Sequence, residues 1–314
     1  MRLLPVLLLL GLVLTGCASP EQQQLRPPVR PPAIEGEMFI ASDGARLPLS
    51  TWLPEEKVRA VIIALHGFND SRHGFAMPAP YWAGRGIAVY AYDQRGFGAA
   101  PGRGIWAGNA LLARDFLELA ALLRRRYPGK PVAVVGQSMG AAVALYALGC
   151  AQPSCRNVVD GAVLSGPGVW GRESMPWLYR ASLWLTVHSF PALTASGRGL
   201  GILPSDNIPM LRERVRDPLT IIETRFDATY GLLGLMDAAL ERAGHVGVPV
   251  LLLYGKNDQL IPRTAIDLLR RRLPPGYRYI EYERGWHMLL RDLQAPRVWR
   301  DIADWVLDPA PRRP

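Results

Sequence analysis

From Ala60 onward, short apolar runs alternate with longer stretches whose apolar residues recur every three or four positions. The runs Ala60–Leu65, Ile87–Tyr92, Val132–Val135, Ala162–Leu164, Val250–Tyr254 and Tyr277–Tyr282 read as strands. Helical spacing runs through Ala110–Tyr127, Met139–Leu148, Thr229–Ala243, Thr264–Leu273 and Ala295–Val306. Ahead of these, Met38–Ala41 and Leu47–Leu53 flank Ser42-Asp43-Gly44 and read as a hairpin, which makes the first strand antiparallel. Alternating strands and helices place the chain in the α/β class, with a mostly parallel eight-stranded sheet and helices on both faces. In such sheets ligands gather beyond the carboxyl ends of the strands. The loops after Leu65, Tyr92, Val135, Leu164, Tyr254 and Tyr282 are therefore where chemistry is expected.

The first residues break that pattern. Met1-Arg2 precede an apolar stretch, Leu3–Val13, too short for the roughly 20 residues that span a bilayer. It reads as a secretory signal ending in Leu14-Thr15-Gly16-Cys17, which resembles the lipobox of bacterial lipoproteins, where the Cys is acylated and becomes the new N-terminus. Ala18 rather than Asp follows Cys17, which by resemblance to lipoprotein sorting implies the outer membrane of a diderm cell, facing the periplasm. Residues 17–34 are rich in Pro and Gln and read as an extended tether, about 50 Å long at roughly 3.1 Å per residue. Cys150 and Cys155 remain, close enough in an exported protein to form a structural disulfide; two separate buried thiols are the alternative.

Composition narrows the class. Of the 314 residues, 49% are hydrophobic and 20% charged, as in a globular protein with a sizeable core. The formal net charge is +9, but the arginines are scattered and no basic run is interleaved with aromatics. Nucleic acid is not an expected partner; an anionic lipid surface is. Arg124–Arg126 and Arg270–Arg272 fall at helix ends, where cations suit the helix dipole. No Cys or His set has ligand spacing, so no metal is expected.

Val132–Val135 leads directly into Gly136-Gln137-Ser138-Met139-Gly140 and then an Ala-rich helix. A strand–turn–helix of the Gly-x-Ser-x-Gly kind forces a strained backbone at the Ser, and glycine on either side relieves the crowding. Ser138 is the candidate nucleophile. It needs a base, and five His are present. His245 precedes a strand and lies at the wrong end of the sheet, His188 sits in an irregular insert, and His66 and His73 come too early for the order Ser, acid, His. His287 follows the last strand and is the candidate base. Asp258, just after Val250–Tyr254 and Gly255, is the candidate acid; Asp206 and Asp217 are weaker competitors. The N–H groups of Met139 and Phe68 are the candidate oxyanion donors, Gly67 allowing the bend after His66.

These residues together resemble the α/β-hydrolase fold, and within it the monoacylglycerol lipase and lysophospholipase-like family. The resemblance is carried by His66-Gly67-Phe68, Asp93-Gln94-Arg95-Gly96-Phe97-Gly98, Gly136–Gly140, Gly255–Pro262 and Gly285-Trp286-His287-Met288, and covers Glu37 to Val306. It implies a triad of Ser138, Asp258 and His287, oxyanion donation from Phe68 and Met139, a structural role for Asp93 and Arg95, no cofactor, and a helical cap insert. The expected divisions are a signal peptide at 1–16, the lipidated Cys and tether at 17–34, the hydrolase domain at 35–170 and 229–307, the cap at 171–228, and a disordered tail at 308–314. In the cap, Trp177, Leu178, Ala181, Trp184, Leu185 and His188 share a helical face, with Leu183, Val187 and Phe190 widening it. The face can pack on the fold beneath, form a greasy substrate funnel or touch lipid. The expected function is hydrolysis of a carboxylic ester bearing an acyl chain, with chain length, head group and oligomeric state open. Thioesterase, aminopeptidase and acyltransferase chemistry use the same triad, and a non-catalytic envelope lipid-binding protein is the alternative from another class.

Overall fold

The computed structural model describes residues 19–152, 155, 158–197, 199 and 201–308. The expected signal peptide, Cys17, and all of the expected tail but residue 308 lie outside them. The strands are β1 (Ala33–Glu35), β2 (Met38–Ile40), β3 (Arg46–Trp52), β4 (Ala60–Leu65), β5 (Ile87–Tyr92), β6 (Val132–Gln137) and β7 (Gly161–Ser165). They continue with β8 (Thr194–Ala195), β9 (Thr224–Arg225), β10 (Val250–Gly255) and β11 (Arg278–Tyr282). The helices are α1 (Pro78–Gly84), α2 (Asn109–Arg126), α3 (Met139–Leu148), α4 (Trp177–Ser189), α5 (Ile208–Arg216), α6 (Phe226–Arg242), α7 (Arg263–Arg272) and α8 (Ala295–Leu307).

The main sheet has nine strands in the order β1-β2-β3-β5-β4-β6-β7-β10-β11. From β5 to β11 every pairing is parallel, while β1, β2 and β3 join antiparallel. The parallel strands are apolar throughout because both their faces are covered. Val61, Ile63 and Leu65 of β4 face a core made with α2, α3, α6 and α7, whereas Ala60, Ile62 and Ala64 face one made with α1 and α8. Val298, Ile302 and Trp305 bury a single stripe of α8 at the spacing an amphipathic helix requires. Arg124–Arg126 and Arg270–Arg272 occupy the last turns of α2 and α7.

The α/β-hydrolase architecture is as expected, with three differences. The ninth strand is β1, which begins in the last residues of the Pro-rich segment. That segment is not a free tether: Val29 and Arg30 donate backbone N–H bonds to the Ser42 carbonyl, and Gln23 donates one to that of Trp106. The helix expected from Thr229 begins at Phe226. The cap holds α4, α5 and the small β8-β9 ladder. Cys150 and Cys155 are disulfide-bonded in the loop after α3.

Candidate active site

Ser138 lies between β6 and α3 with φ 52° and ψ −113°, a left-handed backbone that is costly for a residue with a side chain. The flanking glycines make it possible in two different ways. A Cβ on Gly136 would sit 2.5 Å from the Ala141 nitrogen, across the turn, while one on Gly140 would sit 2.1 Å from the Leu65 carbonyl of β4. Beyond β7, the Ser165–Gly168 loop holds the turn from the side: Ser138 N donates to Ser165 O at 3.0 Å and Gly168 N to Ser138 O at 2.9 Å.

Asp258 and His287 come from the loops after β10 and β11. His287 Nδ1 is 2.8 Å from Asp258 Oδ2, and both side chains are buried. Asp258 Oδ1 accepts from the backbone N–H groups of Leu260 at 2.8 Å and Ile261 at 2.9 Å, which fixes the carboxylate. Gly255 lets the two loops meet, because a Cβ there would stand 2.5 Å from the Gly285 carbonyl carbon. Ser138 and His287 line one cavity. The Met139 N–H opens α3, where the first-turn donors have no partner within the helix. Phe68 follows Gly67, whose Cβ would lie 3.4 Å from that of Ser138. A base oriented by an acid, a Ser on a strained turn and backbone N–H groups at a helix start are parts that an acyl transfer needs.

The other histidines are placed elsewhere. His66 is fully buried; its Nε2 accepts from Gln94 N at 3.0 Å, so its proton sits on Nδ1, which donates to Gly67 O at 2.8 Å. Burial lowers its pKa. His73 pairs with Asp217 at 2.9 Å, and His188 stacks on Trp184. Asp206 accepts from Leu293 N at 2.9 Å. Asp93 accepts from the backbone of Arg72 and of Ala99, and Arg95 ties Asp43 to Asp115, so both hold the loop after β5 in place.

Sequence reasoning missed a buried ionic group beside the nucleophile. Asp70 pairs with Arg291, lies 3.7 Å from Arg214 of α5, and packs beneath Gly74. Burial would raise the Asp70 pKa, but the two guanidinium groups outweigh it and lower it to about 2. Arg291 also reaches Gln137, the residue before Ser138. Asp292 accepts from the Trp286 backbone at 3.1 Å and so supports the His287 loop; burial raises its pKa to about 6. The only signal in the sequence is the position of Arg291 and Asp292 shortly after His287. The partners of Arg291, Asp70 and Gln137, are far away along the chain.

The cap closes over the site by bonds to the loops that carry Phe68, Asp258 and His287. Ile221 N donates to Asn69 O, Met288 N to Pro204 O, and Leu203 N to the Gln259 side chain. Arg103 donates to the carbonyls of Pro218, Leu219 and Thr220. Beneath lies a cavity of about 570 Å³, lined by Phe68, Trp170, Ile202, Leu203, Leu211, Val215, Ile221, Ile222, Leu232, Met236, Leu260 and Ile261 among others. Among the described residues Asp70 is the single carboxylate in that lining, and it is already paired. The expected funnel of Trp177 to Phe190 does not contribute to the lining. Of α4 only Val187 is buried, whereas Trp177 is 71% and Leu185 60% exposed. The stripe is left largely outward where α4 meets α6, with His188 set against Tyr230.

A family model described as serine aminopeptidase, S33, matches residues 56–294. The chain is 24% identical over 286 residues to a monoacylglycerol lipase of Mycolicibacterium smegmatis, an alignment covering 86% of this chain and 95% of that one. It is 26% identical over 299 residues to the human monoglyceride lipase, covering 91% and 95%. Among solved structures, a soluble variant of the Saccharomyces cerevisiae monoglyceride lipase in complex with a substrate analogue superposes with a TM-score of 0.70 at 16% identity, over 92% of this chain and 98% of that one. The Paleococcus ferrophilus monoacylglycerol lipase superposes at 0.66 with 20% identity, over 83% and 98%.

Proposed function

The chain belongs to the serine aminopeptidase S33 family and is a serine ester hydrolase, and on that premise we propose that it removes the acyl chain of a small lipid ester, of the monoacylglycerol or lysophospholipid kind, through an acyl-enzyme on Ser138. His287 takes the Ser138 proton as Oγ attacks the ester carbonyl, and Asp258 holds the imidazole in the required tautomer and stabilises the imidazolium. The carbonyl oxygen becomes an oxyanion received by the N–H groups of Phe68 and Met139. His287 then protonates the leaving alcohol, and water repeats the sequence to release the acid.

The observation that carries the substrate class is the cavity. Its lining is apolar around Ser138 and His287, and its one carboxylate is neutralised by Arg291 and Arg214. An aminopeptidase needs a free carboxylate to hold the substrate amine. Glu173 is paired with Arg272 and Asp206 is engaged by Leu293; neither lines the cavity. An acyl chain instead gains about 0.8 kcal/mol for each buried methylene. Efficiency on p-nitrophenyl esters should therefore rise several-fold per two carbons until the cavity is full, and aminoacyl p-nitroanilides should be poor substrates. Leu232→Trp, which fills the cavity, should depress long-chain esters far more than acetate. Equal efficiency from two to sixteen carbons, or faster cleavage of the anilides, would overturn the lipid-ester assignment.

The Leu14–Cys17 pattern supports export and acylation at Cys17, with anchoring to the bacterial envelope, facing the periplasm at the outer membrane. Among the described residues no helix is long and apolar enough to cross a membrane. Anchoring then rests on the acyl chains, two or more of which make attachment stable where one is marginal. Cys17→Ser should leave the membrane fraction; its persistence there after a salt wash, with unchanged processing, would argue against acylation.

A further inference from the structure

The segment between Cys17 and β1 is docked, and where it docks has a consequence for an anchored enzyme. Gln23 lies across the Gly96–Gly108 loop, donating Nε2 to Ile105 O at 3.0 Å while its backbone bonds Trp106. Gln22 forms a bridge with Trp106, and its side chain fills the space that a Cβ on Gly108 would take. One residue further back, Glu21 reaches the cap: its carboxylate is 2.8 Å from Arg225 of β9, and its N–H bonds Asp227. Thr224, the neighbour of Arg225, lines the catalytic cavity, as do Ser196 and Gly197, which follow the paired strand β8. The chain thus leaves the fold at the mouth of the site.

We propose that Ser19–Arg30 is a short docked leash that, with Cys17 acylated, holds the cavity mouth and the outward face of α4 against the lipid bilayer. The proposal rests on the lipoprotein assignment above. Only Ala18, Ser19 and Pro20 separate Glu21 from Cys17, four residue steps that span at most about 14 Å, so the acyl chains enter lipid close to Arg225 rather than at the end of a 50 Å tether. The first two residues of α6 tie that point to the segment just after α4, through Phe226 N to Leu193 O and Asp227 N to Pro191 O. Phe190 and Leu193 there are exposed, continuous with the exposed Trp177 and Trp184 face, as is Leu203 at the cavity lip. An apolar area of this extent on a soluble domain marks a contact surface. Its occupant is lipid, because the leash delivers a membrane anchor beside it. The one charge on α4, Arg180, is of the sign that anionic headgroups attract. A substrate dissolved in the bilayer would then reach the cavity without crossing water.

The test uses the full acylated chain in vesicles of phosphatidylethanolamine and phosphatidylglycerol containing brominated acyl chains. Intact mass of the extracted protein reads acylation on its own. Bromine should quench a share of the tryptophan fluorescence that disappears in Trp177→Phe/Trp184→Phe. Replacing residues 19–30 with a Gly/Ser segment of equal length, or making Glu21→Ala/Gln22→Ala/Gln23→Ala, should cut that share at least threefold. Hydrolysis of vesicle-borne monooleoylglycerol should fall several-fold, and hydrolysis of p-nitrophenyl acetate should stay within twofold. A mass without acyl groups sinks the lipoprotein assignment. An acylated chain whose cap tryptophans are unquenched, or whose quenching and vesicle activity survive leash replacement, sinks the leash alone.

Discussion

Ser138 keeps its left-handed backbone because every neighbouring group leaves room for it and several hold it there. Gly140 is the tightest point: a methyl group 2.1 Å from the Leu65 carbonyl must push α3 off β4. Gly140→Ala should therefore lower stability and activity together, read by thermal melting and by kcat/KM on p-nitrophenyl butyrate. Ser138→Ala and His287→Ala remove the chemistry while leaving the fold intact, and each should lose several orders of magnitude in turnover. More than a tenth of the original activity in either variant would sink the assignment. Asp258→Asn should be similarly damaging, since the amide favours the wrong imidazole tautomer. Asp70 is a different case. Its removal leaves Arg291 and Arg214 facing one another without their shared carboxylate, so Asp70→Ala should cost about 3–5 kcal/mol of stability by chemical denaturation. A loss below about 1 kcal/mol would mean that the ionic group is not structurally important.

At the scale of elements, the cap and the disulfide loop behave as opposites. The cap is tied to the loops that carry Phe68, Asp258 and His287, and Arg103 spans from the Gly96–Gly108 loop to three consecutive cap carbonyls. Arg103→Ala should loosen the roof of the cavity, raising KM for long-chain esters while leaving that for acetate nearly unchanged; equal effects on both would contradict a roof confined to the acyl pocket. The Cys150–Cys155 bridge closes a very short loop far from that chemistry. Loop-closure entropy for so short a ring is worth about 2 kcal/mol. Cys150→Ser/Cys155→Ser should lose no more than that and keep full activity.

For the whole molecule, pH acts through buried carboxylates of opposite character. Asp70, lowered to about 2, adds stability above the ordinary carboxylate range that is lost as pH falls from about 4 toward 2. Asp292, raised by burial to about 6, binds its proton more tightly in the folded state. Its contribution is favourable below about 4 and is withdrawn as pH rises through 6. Melting temperatures between pH 4 and 7 should therefore fall less steeply in Asp292→Asn than in the native chain; parallel profiles would remove Asp292 as the cause.

The pattern of the sequence alone determined the α/β class, the strands of the parallel sheet, the main helices that cover it and the candidates Ser138, Asp258 and His287, because each is written locally. Strands buried on both faces are continuous apolar runs, and a nucleophile turn announces itself by glycines two residues either side. Short elements were not legible: α1 has two prolines in seven residues, too few positions for a helical period to register, yet Trp82 anchors it against α8. What tertiary structure decided was everything that depends on partners distant in the chain. Asp70 meets Arg291 across 221 positions, and nothing near either residue foretells it. The stripe on α4 has the period of a packed helix, but periodicity says only that a face is apolar, not what lies opposite; here the fold leaves it outward. The Pro/Gln segment is poor in apolar residues and reads as a tether, yet it docks through backbone and glutamine hydrogen bonds supplied by a loop more than 70 residues away. Hydrophobic patterning carries no record of such bonds, because their donors and acceptors belong to the backbone that every residue shares.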